Sequence, residues 1–128
     1  MNQTGSKILL DSSAWLAYFL GADTEVRGYI DTEKTLLISS VLSLHEVKKK
    51  LIRQTSAGQA KIAINFMKEN SIVMDVNDEI AEKAALDCIE NRLHTIDGLI
   101  YRTAIENKAT LVTGDKDFKG LKNAKILE

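Results

Sequence analysis

The sequence predicts an α/β domain on a mainly parallel sheet of four to five strands. Short aliphatic runs alternate with longer segments of helical period, which is the pattern of strands joined by helical crossovers. The 128 residues are 45% hydrophobic and only 5% aromatic, which suits an aliphatic core in a single domain over residues 1–128. There is no proline, and no repeat or linker on which to divide the chain.

The polar opening, residues 1–6, is expected to be a flexible tail. "KILLD" at 7–11 reads as the first strand. "SSAWLAYFLG" follows as a helix with Trp15, Leu16, Phe19 and Leu20 on its apolar side, Ser12 or Ser13 at its start and Gly21 just past its end. "TLLIS" at 35–39 is the second strand. "SVLSLHEVKKKLIRQT" puts Leu44, Val47 and Leu51 on one helical face, and "QAKIAINFMKEN" continues the apolar period in another helix. "SIVMDV" at 71–76 is the third strand. In "DEIAEKAALDCIENRL", Ile80, Ala81, Ala84, Ala85 and Cys88 share a stripe, which makes Cys88 a small packed hydrophobe rather than a nucleophile. "TIDGLIYRTAIEN" buries Ile96, Leu99, Ile100 and Ala104 and leads into "ATLVT" at 109–113, the fourth strand. "AKILE" offers a short last one.

Several function classes lose ground on composition. Lys plus Arg number 17 against 18 Asp plus Glu, a formal charge of −1, so the chain does not grip duplex nucleic acid through overall positive charge. The single cysteine makes no internal disulfide, and neither a signal peptide nor a membrane span is visible, so a soluble cytoplasmic protein is expected. His45 and His94 stand far apart without a zinc-type array, and no P-loop occurs.

The carboxylates are more informative. Asp11 follows the first strand, at the sheet edge where parallel folds bind ligands, although it also suits a helix cap. An ideal helix turns Glu46 away from the Leu44, Val47 and Leu51 face, toward water or toward a cleft. Its spacing from Ser43 fits a capping box, and its spacing from Lys50 a surface ion pair. Asp97 falls in the first turn of its helix, where the dipole favours negative charge. In "LVTGDKDF", Asp115 and Asp117 follow the fourth strand and read either as a turn or as part of a site. Crossover connections bring the carboxyl ends of parallel strands to one edge, so Asp11 and Asp115 can meet there, with Glu46 and Asp97 nearby. Such a cluster repels itself unless cations neutralise it, and Mg²⁺ or Mn²⁺ suits carboxylate oxygen. In "VKKKLIR", Lys48, Lys49, Lys50 and Arg53 form either a solvated helix face or contacts to phosphate.

The pieces "ILLDSSAWLAYF", "SLHEV" and "HTIDGLIYRTAIENKATLVTGDKDF", in this order and spacing, resemble the PIN-domain ribonucleases. In size and layout the chain is similar to the VapC-type toxins of prokaryotic toxin–antitoxin pairs, and the resemblance covers nearly all of it. It implies a three-layer fold with a parallel sheet flanked by helices, bound Mg²⁺ or Mn²⁺, and cleavage of single-stranded or structured RNA. The family's acidic positions fall on Asp11, Glu46, Asp97, Asp115 and Asp117, with Thr113 opening the last motif. Within that resemblance Asp11 and Asp97 are the principal metal ligands and Asp115 a further one, direct or through water. Glu46 is a ligand or orients the attacking water. Asp117 holds the loop, Thr113 bonds an acidic neighbour, and Ser12 and Ser13 cap the first helix or touch metal-bound water. Lys49, Lys50 and Arg53 are the candidates for holding RNA. The resemblance further implies a homodimer and a small antitoxin whose inserted segment blocks the acidic groove.

Two other enzyme classes place acids at strand ends. Haloacid-dehalogenase-like phosphatases need a second Asp where this chain has Ser13, and a receiver domain needs one directly after the third strand, whereas Asp75 lies within "IVMDVN". The non-enzymatic alternative is a PIN-like domain kept as an RNA-binding or protein-interaction module.

Overall fold

The computed structural model describes residues 6–21 and 25–128. Of the expected tail, residues 1–5 lie outside the described residues. The elements run β1 (Lys7–Leu10), α1 (Ser12–Phe19), α2 (Glu25–Ile30), β2 (Leu36–Ser40), α3 (Val41–Gln54), α4 (Ala57–Asn70), β3 (Ile72–Met74), α5 (Asp78–Asn91), α6 (Thr95–Glu106), β4 (Thr110–Thr113) and β5 (Ala124–Ile126). A 3₁₀ turn, Lys116–Phe118, joins the last two strands. All five aliphatic runs are therefore strands, and all four neighbour pairs are parallel, in the order β3-β2-β1-β4-β5.

Side-chain alternation along each strand feeds two cores, one per sheet face. Ile8, Leu10, Leu37 and Val112 pack with Trp15, Val47, Leu51 and Met67 from α1, α3 and α4. Leu9, Ile38 and Leu111 point the other way, onto Ile100, Tyr101 and Ala104 of α6. Helices thus cover both faces, giving the three-layer α/β arrangement. The order reverses between β1 and β4, and that switch point opens a crevice at the strands' carboxyl ends.

Four local details differ from the sequence reading, each for a physical reason. The β3 pairing stops at Met74, because Asn77 accepts from Ile80 N and starts α5 as its N-cap. The α2 helix, six residues with only Val26 buried, is too short to show a helical period. The cap of α3 is Ser40, whose hydroxyl accepts from Leu42 N at 3.1 Å, so Ser43 lies inside the helix and makes no capping box with Glu46. Finally, Ala81 and Ala85 are exposed on α5, and Asp87 takes an inward position beside Ile80 and Ala84. Burial of Asp87 is tolerated because Arg102 meets it with two parallel N–H···O bonds of 2.7 Å. Cys88 is half-buried against Gly98 of α6, where an added Cβ would collide with its sulfur.

Candidate active site

The register sets the site. Leu10 pairs with Val112, which places Asp11 beside Thr113, one step past the ends of two adjacent strands. Asp11 is 5% exposed, and its carboxylate has two jobs. Oδ1 accepts from Ala14 N at 3.0 Å, capping α1, and from Ser13 Oγ at 2.7 Å. Oδ2 accepts from Thr113 Oγ1 at 2.5 Å. A carboxylate oxygen has two lone pairs, so Oδ1 is filled and Oδ2 keeps one. The side chain that caps α1 thus also lines the cleft.

Burial pushes the Asp11 carboxyl above its ordinary value, against the lowering effect of the bonds from Thr113, Ser13 and Ala14. The Asp115 charge adds to the rise. Thr113 also accepts from Asp115 N at 2.9 Å, so one hydroxyl ties the first acid to the start of the next acidic segment. Ser13 makes a second strap, donating to Asp11 and accepting from Gly114 N at 2.8 Å. Both hydroxyl protons are committed to Asp11, so the 3.3 Å approach of Ser13 Oγ and Thr113 Oγ1 is a contact and not a bond. Asp115 then accepts from Asp117 N at 2.9 Å and caps the 3₁₀ turn. The segment is a turn, and Asp115 within it also lines the cleft.

Glu46 faces the cleft. Its Oε1 accepts from Ser12 Oγ at 2.5 Å, and Ser12 also lies 3.2 Å from the buried Ser43 hydroxyl. The first turn of α1 is thereby bonded to α3. Asp97, on the first turn of α6, is raised from 3.8 to about 6, by burial first and then by the charges of Asp115, Asp11 and Glu46, with His94 opposing. Asp97 therefore feels the charges of the other three acids, and all four line a single cleft of about 400 Å³. Lys49, Lys50 and Arg53 of α3 line the same cleft, while Lys48 does not. Its apolar surface is Leu16 and Ile100.

One further relationship was not anticipated. Oxygens of Asp97, Asp115 and Asp117 lie within 4.8 Å of one another, close enough for one cation to bridge them. The spare lone pair of Asp11 and the raised carboxyl of Asp97 fit a divalent cation, whose charge would relieve the repulsion. Ser43, Leu16 and Ile100 were not singled out by any motif of the sequence as site residues. Their place in the site follows from strand register and helix packing.

A family model described as PIN domain matches residues 8–123. No curated protein is detectably similar in sequence. Solved structures are similar in fold at low identity. A toxin–antitoxin complex from Klebsiella pneumoniae matches with TM-score 0.76 and 18% identity, over 92% of this chain and 95% of that one. VapBC2 from Rickettsia felis, bound to a DNA fragment from its promoter, matches with TM-score 0.78 and 15% identity, over 95% and 99%. The Mycobacterium tuberculosis toxin VapC20, which cleaves the sarcin–ricin loop, matches with TM-score 0.71 and 18% identity, over 87% and 92%. With that family model spanning the two strands, the acidic cleft and the segment from Asp97 to Asp117, the chain belongs to the PIN domain family.

Proposed function

We propose that this protein is a metal-dependent endoribonuclease and the toxin of a toxin–antitoxin pair. The observation that carries the nuclease reading is the convergence of Asp11, Glu46, Asp97 and Asp115 in one cleft whose rim is cationic. A bound divalent cation, Mg²⁺ or Mn²⁺, would supply water activation and neutralise charge at the phosphorus oxygens and the leaving 3′ oxygen. Asp97, Asp115 and Asp117 would hold it, with Asp11 beside them offering a carboxylate oxygen that still has a free lone pair. Glu46, steadied by Ser12, sits across the cleft and orients the attacking water. Thr113 and Ser13 donate to Asp11 and so oppose the rise that burial imposes on its carboxyl. Lys49, Lys50 and Arg53 hold phosphates next to the reacting one.

The toxin role draws support from the structural neighbours, which include toxin–antitoxin complexes. The antitoxin would occupy the apolar groove lined by Tyr18, Phe19, Leu51, Ile62 and Phe66, next to the cleft through their shared helices α1 and α3. Exposed Leu86 and Ile89 on α5 support a homodimer, which light scattering of the purified chain would test. No helix among the described residues is long and apolar enough to cross a membrane.

The deciding experiment is turnover of labelled RNA with Mn²⁺ or Mg²⁺. Cleavage should require the metal and disappear in Asp11→Asn and Asp97→Asn. Cleavage that persists in both variants, or none in wild type, would sink the nuclease reading and favour a binding module. Co-purification with the product of a short neighbouring reading frame would test the toxin role.

A further inference from the structure

We infer that the cleft reads the RNA backbone and not its bases, so any preference for one target comes from the target's exposed shape. This rests on the nuclease reading and concerns only what the cleft grips. Proteins that hold single strands draw base contacts from aromatic platforms and amide side chains, and draw sequence-independent affinity from cations on phosphate. Every aromatic ring of this chain is described, and none lines the cleft. Trp15, Tyr101 and Phe118 are buried in the two cores. Tyr18, Phe19 and Phe66 cluster in the separate apolar groove, and Tyr29 takes the Lys125 ammonium at its hydroxyl.

Among the described residues, no Asn or Gln lines the cleft either. Its groups are carboxylates and serines at the reacting end, Leu16 and Ile100 as smooth apolar surface, and three cations on α3. Those cations come from one helix at positions 49, 50 and 53, within about one turn of one another, so they form one positively charged patch that suits the phosphates of a single strand. Ser12 and Ser13 are committed to Glu46 and Asp11, and the carboxylates sit at the reacting end, which leaves the α3 cations as the groups free to meet a base edge, that of guanine. Next to a phosphate chain their charge goes to the backbone.

Binding can be measured apart from cleavage, using Asp97→Asn as a full chain in Mg²⁺ and fluorescence anisotropy of labelled single strands. The probes are oligo(A), oligo(U), oligo(C) and a mixed strand containing guanine. The four dissociation constants should agree within about threefold, and log K should fall linearly with log salt. Adding Lys49→Ala or Arg53→Ala should weaken all four strands alike and lower the salt slope by roughly 0.7 per charge removed. A tenfold preference for one strand would overturn the inference, as would a guanine preference lost with Arg53→Ala. Absence of binding to every strand at low salt would overturn it too. Failure of the nuclease reading is seen separately, in the wild-type cleavage assay.

Discussion

At the residue scale, single side chains in this site serve two purposes, and substitutions separate them. Thr113→Val keeps shape but removes the hydroxyl that donates to Asp11 and accepts from Asp115 N. Metal affinity should drop roughly 10–100-fold, as when other groups that orient ligands are lost, with the circular dichroism spectrum unchanged. Titration by Mn²⁺ with RNA turnover as readout checks this, and an unaltered affinity would remove Thr113 from the site. Asp97 gives a pH prediction for the metal-free chain. Its carboxyl is raised from 3.8 to about 6, so the folded chain holds that proton more tightly than the unfolded one. The stabilisation is complete below the unfolded value and is lost as pH rises through the folded value. Solvent reaches the group, so the loss is on the order of 1 kcal/mol rather than the full shift. In EDTA, wild type should lose melting temperature relative to Asp97→Asn over that window. Parallel profiles for the two proteins would refute the assignment. The place of Asp11 at the sheet edge and at a helix start was legible in its position after "ILL", but which serine bonds it was not. That depended on Gly114, 101 residues away, arriving beside Ser13.

At the element scale, the α5–α6 pair carries Asp97 and is held by two unlike contacts. One is steric. A Cβ on Gly98 would run into the Cys88 sulfur, so Gly98→Ala forces the helices apart and should cost about 1–3 kcal/mol. Cys88→Ala in the same chain should return much of that stability, because it removes the obstructing atom. Urea denaturation of the two single variants and the double variant gives the coupling, and strict additivity would contradict the contact. The other contact is ionic. Arg102→Met strands the 5% exposed Asp87 and should cost about 3–5 kcal/mol. Lys83→Ala, at an exposed pair with Glu79, should leave the urea midpoint nearly unchanged by the same measurement. These elements were readable as helices from their period, but their facing was not. The alanine stripe on α5 pointed to Ala81 and Ala85 as core, whereas a paired Asp87 turns inward with Ile80 and Ala84 instead. Hydrophobic pattern alone cannot register that an ion pair permits a buried acid.

At the scale of the whole molecule, the sheet order gathers residues 11, 46, 97 and 115 at one switch point, and their mutual repulsion stays in the metal-free fold. A cation that binds only the folded chain stabilises it, by about 2.7 kcal/mol at a hundred times its dissociation constant. Mn²⁺ should therefore raise the melting temperature of wild type, EDTA should reverse the rise, and Asp97→Asn should show little of it. An equal rise in the variant would place the bound ion elsewhere. The sequence by itself determined the strands, the long helices and the identity of the acidic residues, because aliphatic runs, helical period and strand-end acids are local patterns. It also carried the family resemblance, which is a matter of order and spacing. Only the tertiary structure decided that Glu46 faces the cleft, that Ser12 and Ser13 brace different acids, and that Asp117 comes within bridging distance of Asp97. Those relationships depend on strand register and helix rotation, which arise from packing between segments far apart in the chain.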